Sequence, residues 1–216
     1  MGSLYWQLND AWTSISWSSI DYLGNKKALH YKLDEIYNPI LLGLNHQGDD
    51  NYKLWICNDM QQDIDGRIRI IVEDMYGNQL FAFSEDLGVK ANSCYHLPDD
   101  VTIDIRGKDE TEYYARIIFM VDDTVLSERL HFFAYPKDLK LVATELNPEI
   151  VFDDGKYHLT FNSDVFVKDV CVTASVSGDF SHNFFDLLPN TTQTIVFEPE
   201  DKNKKNIKFD VHHYNN

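Results

Sequence analysis

The stretch Arg67-Ile68-Arg69-Ile70-Ile71-Val72-Glu73 decides the fold class of this chain. Apolar and charged residues alternate at its start, which is the period of a β-strand with one buried face. Tyr76-Gly77-Asn78 follows as a turn, and Gln79 to Phe83 begins a return strand. The sequence therefore predicts a β-hairpin here.

The same pattern recurs along the chain with turn signals roughly every 8–12 residues, a spacing typical of β-sandwiches. Tyr135 to Leu139 is a candidate linker, because proline and charged residues replace the apolar run. We therefore expect two small sandwiches in tandem. The other predicted strands are Lys53–Asn58, Tyr113–Val121, Val125–Ala134, Glu149–Phe152, Lys156–Phe161, Val165–Val176 with a bend, Thr192–Phe197 and Asn206–His213.

The first forty residues follow a different pattern. Gly2 to Asn9 can form a strand, and a loop rich in serine, threonine and tryptophan follows. Residues 25–37 are predicted as a helix with Asn25 as its N-cap. An apolar stripe at helical spacing is formed by Leu29, Leu33 and Ile36. A strand, a long loop and a helix in this order suit the last βα unit of a TIM barrel.

Composition excludes several classes of function. The formal net charge is -16, which repels phosphate backbones and anionic lipids, so we expect neither nucleic acid nor a membrane as a partner. An odd, sparse set of three cysteines gives no disulfide framework and no zinc-ligand spacing. Cys57 and Cys171 lie in apolar runs and are predicted to be buried free thiols.

Four motifs resemble β-mannosidases of glycoside hydrolase family 2. Residues 4–12 (LYWQLNDAW) and 16–21 (SWSSID) resemble the last barrel strand and the loop after it. Residues 24–31 (GNKKALHY) resemble the helix that closes the barrel, and residues 181–189 (SHNFFDLLP) a segment of the C-terminal immunoglobulin-like domain. Three residues depart from the family pattern, with Lys26 in place of tryptophan, Ala11 of cysteine and Thr13 of proline.

The resemblance implies a mainly β chain with two tandem immunoglobulin-like β-sandwiches after a remnant βα unit of a TIM barrel. The corresponding ranges are 1–38 for the remnant, 39–136 for the first sandwich and 137–216 for the second. The intact enzyme would hydrolyse terminal β-D-mannosides with retention and without a cofactor, in the periplasm, in the lysosome or outside the cell. The match begins at residue 4, so we expect most of the barrel to lie outside this sequence.

No catalytic residue can be assigned. Retaining glycosidases need two carboxyl groups, and in this family the acid/base glutamate follows an asparagine on an earlier barrel strand. The chain contains no Asn-Glu dipeptide. We therefore expect the chain alone to be inactive.

The resemblance does suggest sugar contacts. Trp6 matches a tryptophan beside the scissile bond, where a flat indole suits the apolar face of a pyranose. Gln7, Asn9, Asp10 and Trp12 are close enough in sequence to orient sugar hydroxyls. The expected partners are therefore a β-mannoside or manno-oligosaccharide and the barrel domain in cis. Asp210 and His212 would share a strand face and could hold a metal between them. Histidines in such a tail are far more often ordinary surface residues than metal ligands, so no metal is expected.

Two other functions remain open. A non-catalytic carbohydrate-binding module would need outward aromatics from its adjacent pairs, and a plain scaffold sandwich would need none. The aromatic pairs are Tyr113 with Tyr114, Phe132 with Phe133 and Phe184 with Phe185.

Whichever function holds, residues 1–23 expose apolar faces. They should pack on the first sandwich, self-associate with another copy, or be poorly ordered.

Overall fold

The computed structural model describes residues 4–48, 50–105, 107–204 and 206–215. The chain divides into two compact units. Tyr37–Leu141 is one unit, and the other joins the N-terminal residues up to Ile36 to Val142–Asn216. The N-terminal segment is therefore grouped with the second sandwich rather than with the first. The predicted boundaries after residues 38 and 136 stay predictions.

The unit Tyr37–Leu141 is a sandwich of two antiparallel sheets. One sheet has the order β1-β2-β5 with β6 also paired to β2, and the other has the order β4-β3-β7-β8. The strands are β1 Ile40–Gly48, β2 Asn51–Asn58, β3 Ile64–Asp74, β4 Gln79–Val89, β5 Ser93–His96, β6 Val101–Thr102, β7 Tyr113–Val121 and β8 Thr124–Phe132.

The hairpin predicted from the alternating stretch is confirmed as β3 and β4. Ile68, Ile70 and Val72 are fully buried in the core between the sheets, as their alternation requires. The turn is held by Asp74, whose carbonyl oxygen accepts from the Gly77 N–H at 3.0 Å. Gly77 has a φ of 81°, a left-handed conformation that glycine adopts at little cost.

The unit that contains Val142–Asn216 has a second sandwich with its own core. Its sheets have the orders β12-β14-β10-β9 and β13-β11-β15. The strand Val165–Val176 was predicted with a bend at no stated position, and its counterpart β11 has an irregularity between Val167 and Val170. The strands are β9 Glu149–Asp153, β10 Lys156–Ser163, β11 Val167–Ala174, β12 Gly178–Phe180, β13 Phe185–Leu187, β14 Thr191–Pro199 and β15 Phe209–His212.

The N-terminal segment differs from its prediction. The predicted strand from Gly2 to Asn9 is wrong over its described part, because residues 4–8 form no strand and Asn9 makes only an isolated parallel bridge with Ile20. Gly2 itself lies outside the described residues. A strand needs a neighbour to satisfy its backbone groups, and here these groups bond locally within the loop.

The predicted helix is confirmed but shorter, as α1 Ala28–Ile36. Asn25 is not its cap; instead its N–H donates to the Asp21 carboxylate at 2.8 Å. Tyr31 is the buried residue of α1. At about 100° per residue the predicted stripe of Leu29, Leu33 and Ile36 lies on the opposite side of the helix. The stripe is half-buried to exposed.

The cysteine prediction was wrong for Cys57. Cys57 of β2 lies opposite Cys94 of β5, and the two form a disulfide. The odd cysteine count concealed this pair, because the third cysteine, Cys171, is free and half-buried. Among the described residues, no helix is long and apolar enough to cross a membrane.

Candidate functional site

The segment with the predicted sugar contacts is an ordered loop that folds back on itself. The Ser19 N–H donates to the carbonyl oxygen of Gln7 at 3.0 Å, and the Asp10 N–H donates to that of Ile20 at 3.1 Å. The Ser19 hydroxyl adds a bond to the Leu8 carbonyl oxygen at 3.0 Å. These bonds give the loop a defined shape without regular secondary structure.

Asp10 anchors the loop from inside. Its side chain is 3% exposed, and it accepts hydrogen bonds from the Ser16 hydroxyl and from the Lys27 Nζ, the latter at 2.9 Å. Lys27 also donates to the Ser18 hydroxyl at 2.7 Å. The bonds from Ser16 and then Lys27 hold the pKa of Asp10 below its usual value, so the carboxylate is ionised at neutral pH.

The other predicted contact residues lie around this anchor. Trp6 is 75% exposed and Trp12 68% exposed, so both indoles are available to a ligand. Gln7 Nε2 donates to the Asn9 carbonyl oxygen at 3.3 Å. Asn9 Nδ2 donates to the Asp10 carbonyl oxygen at 3.1 Å. The loop thus presents two indoles, whereas the Asp10 carboxylate faces inward.

Sequence reasoning missed the residues that hold this loop. Lys27 is 17 positions from Asp10, and no local pattern connects them. The Ser19 Oγ lies 3.3 Å from His30 Nδ1 and joins the loop to α1. The serine-rich composition of the loop was the available signal, because short hydroxyl side chains often satisfy loop backbones.

The structure gives little support to the two alternative sites, a metal site at Asp210 and His212 and a sugar-binding surface at the adjacent aromatic pairs. Asp210 and His212 are both exposed on β15, and the described residues hold no group of three or more potential metal ligands. The adjacent aromatic pairs are half-buried or buried, and none of the six rings is exposed. The exposed indoles of the N-terminal loop are therefore the better candidate for a sugar contact.

Two known domain families match this chain, one for each sandwich. Residues 50–138 match the Mannosidase Ig/CBM-like domain. Residues 141–214 match the Ig-fold domain of mannosidases. The chain therefore carries two immunoglobulin-like domains of the mannosidase type, in tandem.

Individual relatives extend the similarity to the N-terminal segment. β-Mannosidase A of Aspergillus oryzae is 26% identical over 231 aligned residues, covering 94% of this chain and 24% of the relative. β-Mannosidase B of Aspergillus fumigatus is 32% identical over 81 residues, covering 32% of this chain and 10% of the relative. The chain thus spans about a quarter of the length of the A-type relatives it matches.

Solved structures share the fold. The β-D-mannosidase of Dictyoglomus thermophilum superposes with a TM-score of 0.75 at 20% identity, over 96% of this chain and 26% of that one. The exo-chitosanase of Amycolatopsis orientalis gives 0.68 at 17% identity, over 98% of this chain and 30% of that one. The chain corresponds to the C-terminal region of the β-mannosidases of glycoside hydrolase family 2.

Proposed function

We propose that this chain is the accessory region of an enzyme that, when intact, hydrolyses terminal β-D-mannosides. The observation that carries the proposal is the order of parts along one chain. An anchored loop with exposed indoles and a helix precede two mannosidase-type domains. The catalytic barrel would lie in the part of the relatives that this chain does not match.

Within the intact enzyme, the loop would form part of the sugar site. Trp6 would stack on the apolar face of the mannose, and Trp12 would border the same site. Gln7 and Asn9 would hydrogen-bond sugar hydroxyls. Asp10 would orient the loop rather than bind sugar directly, because its carboxylate is already bonded to Ser16 and Lys27.

The barrel would also be the partner that covers the apolar surface of this segment. Leu4, Ile15, Trp17 and Leu23 are each at least 79% exposed. The stripe on α1 that faces away from Tyr31 adds to this surface. Clusters of exposed apolar side chains usually mark an interaction site. Self-association of the isolated chain through residues 1–23 is the competing use of the same surface.

The chain alone should be inactive, because retaining hydrolysis needs two carboxyl groups about 5–5.5 Å apart that flank the sugar. We expect no release of p-nitrophenol from the β-mannoside by the purified chain above the buffer rate. Release that is abolished by replacing a carboxylate of this chain would contradict the proposal.

A fusion gives the positive test. This chain would replace the matching region of Aspergillus oryzae β-mannosidase A, and hydrolysis of the β-mannoside would be measured. We expect Trp6→Ala to lower kcat/KM at least about tenfold, which corresponds to about 1.4 kcal/mol of lost transition-state binding. The matched control is Tyr135→Ala, which removes an equally exposed aromatic ring outside the N-terminal segment and should change kcat/KM less than about threefold. Equal effects of the two substitutions would reject the role of Trp6.

A non-catalytic carbohydrate-binding role is the alternative, and the Ig/CBM-like description of residues 50–138 favours it. Titration of the chain with mannobiose, followed by tryptophan fluorescence, separates the two. The accessory role predicts no saturable change, because the barrel supplies most of the site. A saturable change that persists in Trp6→Ala would favour a binding surface on a sandwich.

A further inference from the structure

The loop before β13 presents a phenylalanine in an unusual backbone conformation. Phe184 has a φ of 55°, in the left-handed region that side chains with a Cβ rarely adopt. Asn183, which is 4% exposed, fixes this geometry. Its Oδ1 accepts from the N–H groups of Val172 at 2.9 Å and Phe184 at 3.0 Å, and its Nδ2 donates to the Val172 carbonyl oxygen at 2.8 Å. The loop is therefore locked to β11 by one buried amide.

This locked loop meets helix α1. The Phe184 ring lies against the Tyr31 ring, with centroids 5.9 Å apart and planes tilted by 39°. Lys26 adds an ion pair to Asp179 at 2.9 Å. An exposed pair of this kind contributes little, so the rings carry the contact. Burial, with the nearby Asp179 charge, raises the pKa of Tyr31 to about 12, and the hydroxyl is neutral.

Helix α1 and Lys27, which directly precedes it, are in turn joined to the loop of residues 6–20, called the tryptophan loop from here on. The Lys27 N–H donates to the Ser19 carbonyl oxygen at 2.8 Å. The Lys27 ammonium reaches Asp10, and Ser19 bonds both to the Gln7 carbonyl oxygen and to His30 of α1. An unbroken set of contacts therefore leads from Phe184 through Tyr31 and α1 to the residue that follows Trp6.

We propose that Phe184 is a positioning residue, which holds α1 and through it the tryptophan loop in the orientation needed by the sugar site. The sandwich would thereby control the geometry of a site to which its own strands contribute no side chain. The effect of Phe184 on catalysis rests on the proposed function, whereas the mechanical coupling of Phe184 to the tryptophan loop does not.

The substitution Phe184→Gly tests the coupling in the full chain. Glycine adopts a positive φ freely, so this variant removes the ring without straining the loop. Hydrogen–deuterium exchange is expected to become at least about tenfold faster at the bonded amides of Asp10, Ser19 and Lys27. Peptides from β10 and β14 should keep their rates. Phe184→Tyr, which keeps a ring, should behave like the natural chain.

Cys171 provides a second readout, because it lines a pocket of about 210 Å³ together with Tyr31 and Phe184. Its labelling by a maleimide should accelerate in Phe184→Gly. The control is Phe152→Ala on the edge strand β9, which should leave both readouts unchanged. Unchanged exchange in residues 7–36, or an equal rise in β10 and β14, would overturn the coupling. Failure of the Trp6 fusion alone would refute the sugar contact and leave the coupling intact.

Discussion

At the scale of single residues, buried charges hold irregular backbone in place. Asp186 of β13 accepts from the Lys168 Nζ at 3.0 Å and from the Asp169 N–H at 2.9 Å. Lys168 also pairs with the Asp169 carboxylate at 3.0 Å. Asp169 has a φ of 51°, at the irregularity of β11. A carboxylate and an ammonium thus stabilise a bulge that the backbone alone disfavours.

Replacing Lys168 should therefore destabilise the second sandwich. The side chains of Lys168 and Asp186 are only 8% and 11% exposed. We expect Lys168→Met to lower the free energy of unfolding by about 3 kcal/mol, because it leaves the largely buried Asp186 carboxylate without its cation. Urea denaturation followed by circular dichroism would measure the loss.

Two further variants make that result specific. Lys156 pairs with Glu198 at the surface at 2.9 Å, and Lys156→Met should cost less than about 1 kcal/mol. Asp186→Asn added to Lys168→Met should restore part of the stability, because the amide oxygen can still accept from Asp169. Equal losses in the two lysine variants would show that the buried pair has no special role.

Residue roles were predictable where the signal is local. The alternation of Ile68, Ile70 and Val72 was visible in the sequence and is confirmed. The partnership of Asp10 with Lys27 was not, because a loop with no period brings the two together. The disulfide was hidden for a similar reason, since Cys57 and Cys94 become neighbours only through the pairing of two strands.

At the scale of elements, strands β1, β2 and β8 of the first sandwich share a cluster of aromatic rings. Tyr52 of β2 lies 5.2 Å from His46 of β1 and 5.7 Å from His131 of β8, measured between ring centroids. Phe133 completes the cluster at 5.4 Å from His131. Burial, and then the charges of His46 and Arg129, lower the pKa of His131. The neutral imidazole is therefore the form that packs here.

This cluster predicts acid sensitivity of the first sandwich. In the unfolded chain His131 titrates near its usual value of about 6.5, whereas the folded protein binds the proton only at lower pH. Its contribution to stability is complete above pH 6.5 or so and is lost as the pH falls toward the lowered pKa. The urea midpoint should therefore fall between pH 7.5 and about 5.5.

The substitution His131→Phe should flatten this part of the pH profile. The matched control is His96→Phe, on the same sandwich, where the histidine is exposed and its replacement should leave the profile unchanged. An equally steep profile in His131→Phe would mean that other groups cause the acid sensitivity.

Elements were predictable in proportion to their length. The bounds of β7 were predicted as Tyr113–Val121 and are confirmed. The strand β6, which is 2 residues long, is too short to show a period. The helix illustrates a different limit, because the apolar stripe of α1 pointed away from the side that packs on Phe184. A single apolar stripe does not show which neighbour a helix packs against.

At the scale of the whole molecule, the described residues form two hydrophobic cores. One contains residues of the sandwich β1 to β8 and the other residues of β10 to β15, whereas β9 is exposed along its length. The tandem sandwiches were predictable from turn spacing alone, because each strand contributes its own signal. The grouping of the N-terminal segment with Val142–Asn216 was not, since it depends on contacts between residues about 150 positions apart, such as Tyr31 with Phe184.

The disulfide lies in only one of these units, so reduction should separate their unfolding. Cys57 and Cys94 are separated by 37 positions, and closing a loop of that length stabilises a fold by about 2–4 kcal/mol. For a domain of roughly 100 residues this corresponds to a fall of at least about 10 °C in the Tm of Tyr37–Leu141. The unit that contains Val142–Asn216 has no such link among its described residues and should keep its Tm. Calorimetry with and without a phosphine reductant measures both transitions, and the double variant Cys57→Ala, Cys94→Ala should reproduce the reduced profile.

The control for thiol chemistry is Cys171→Ala, which should leave both transitions unchanged. A shift of both transitions together on reduction would show that the two units unfold as one.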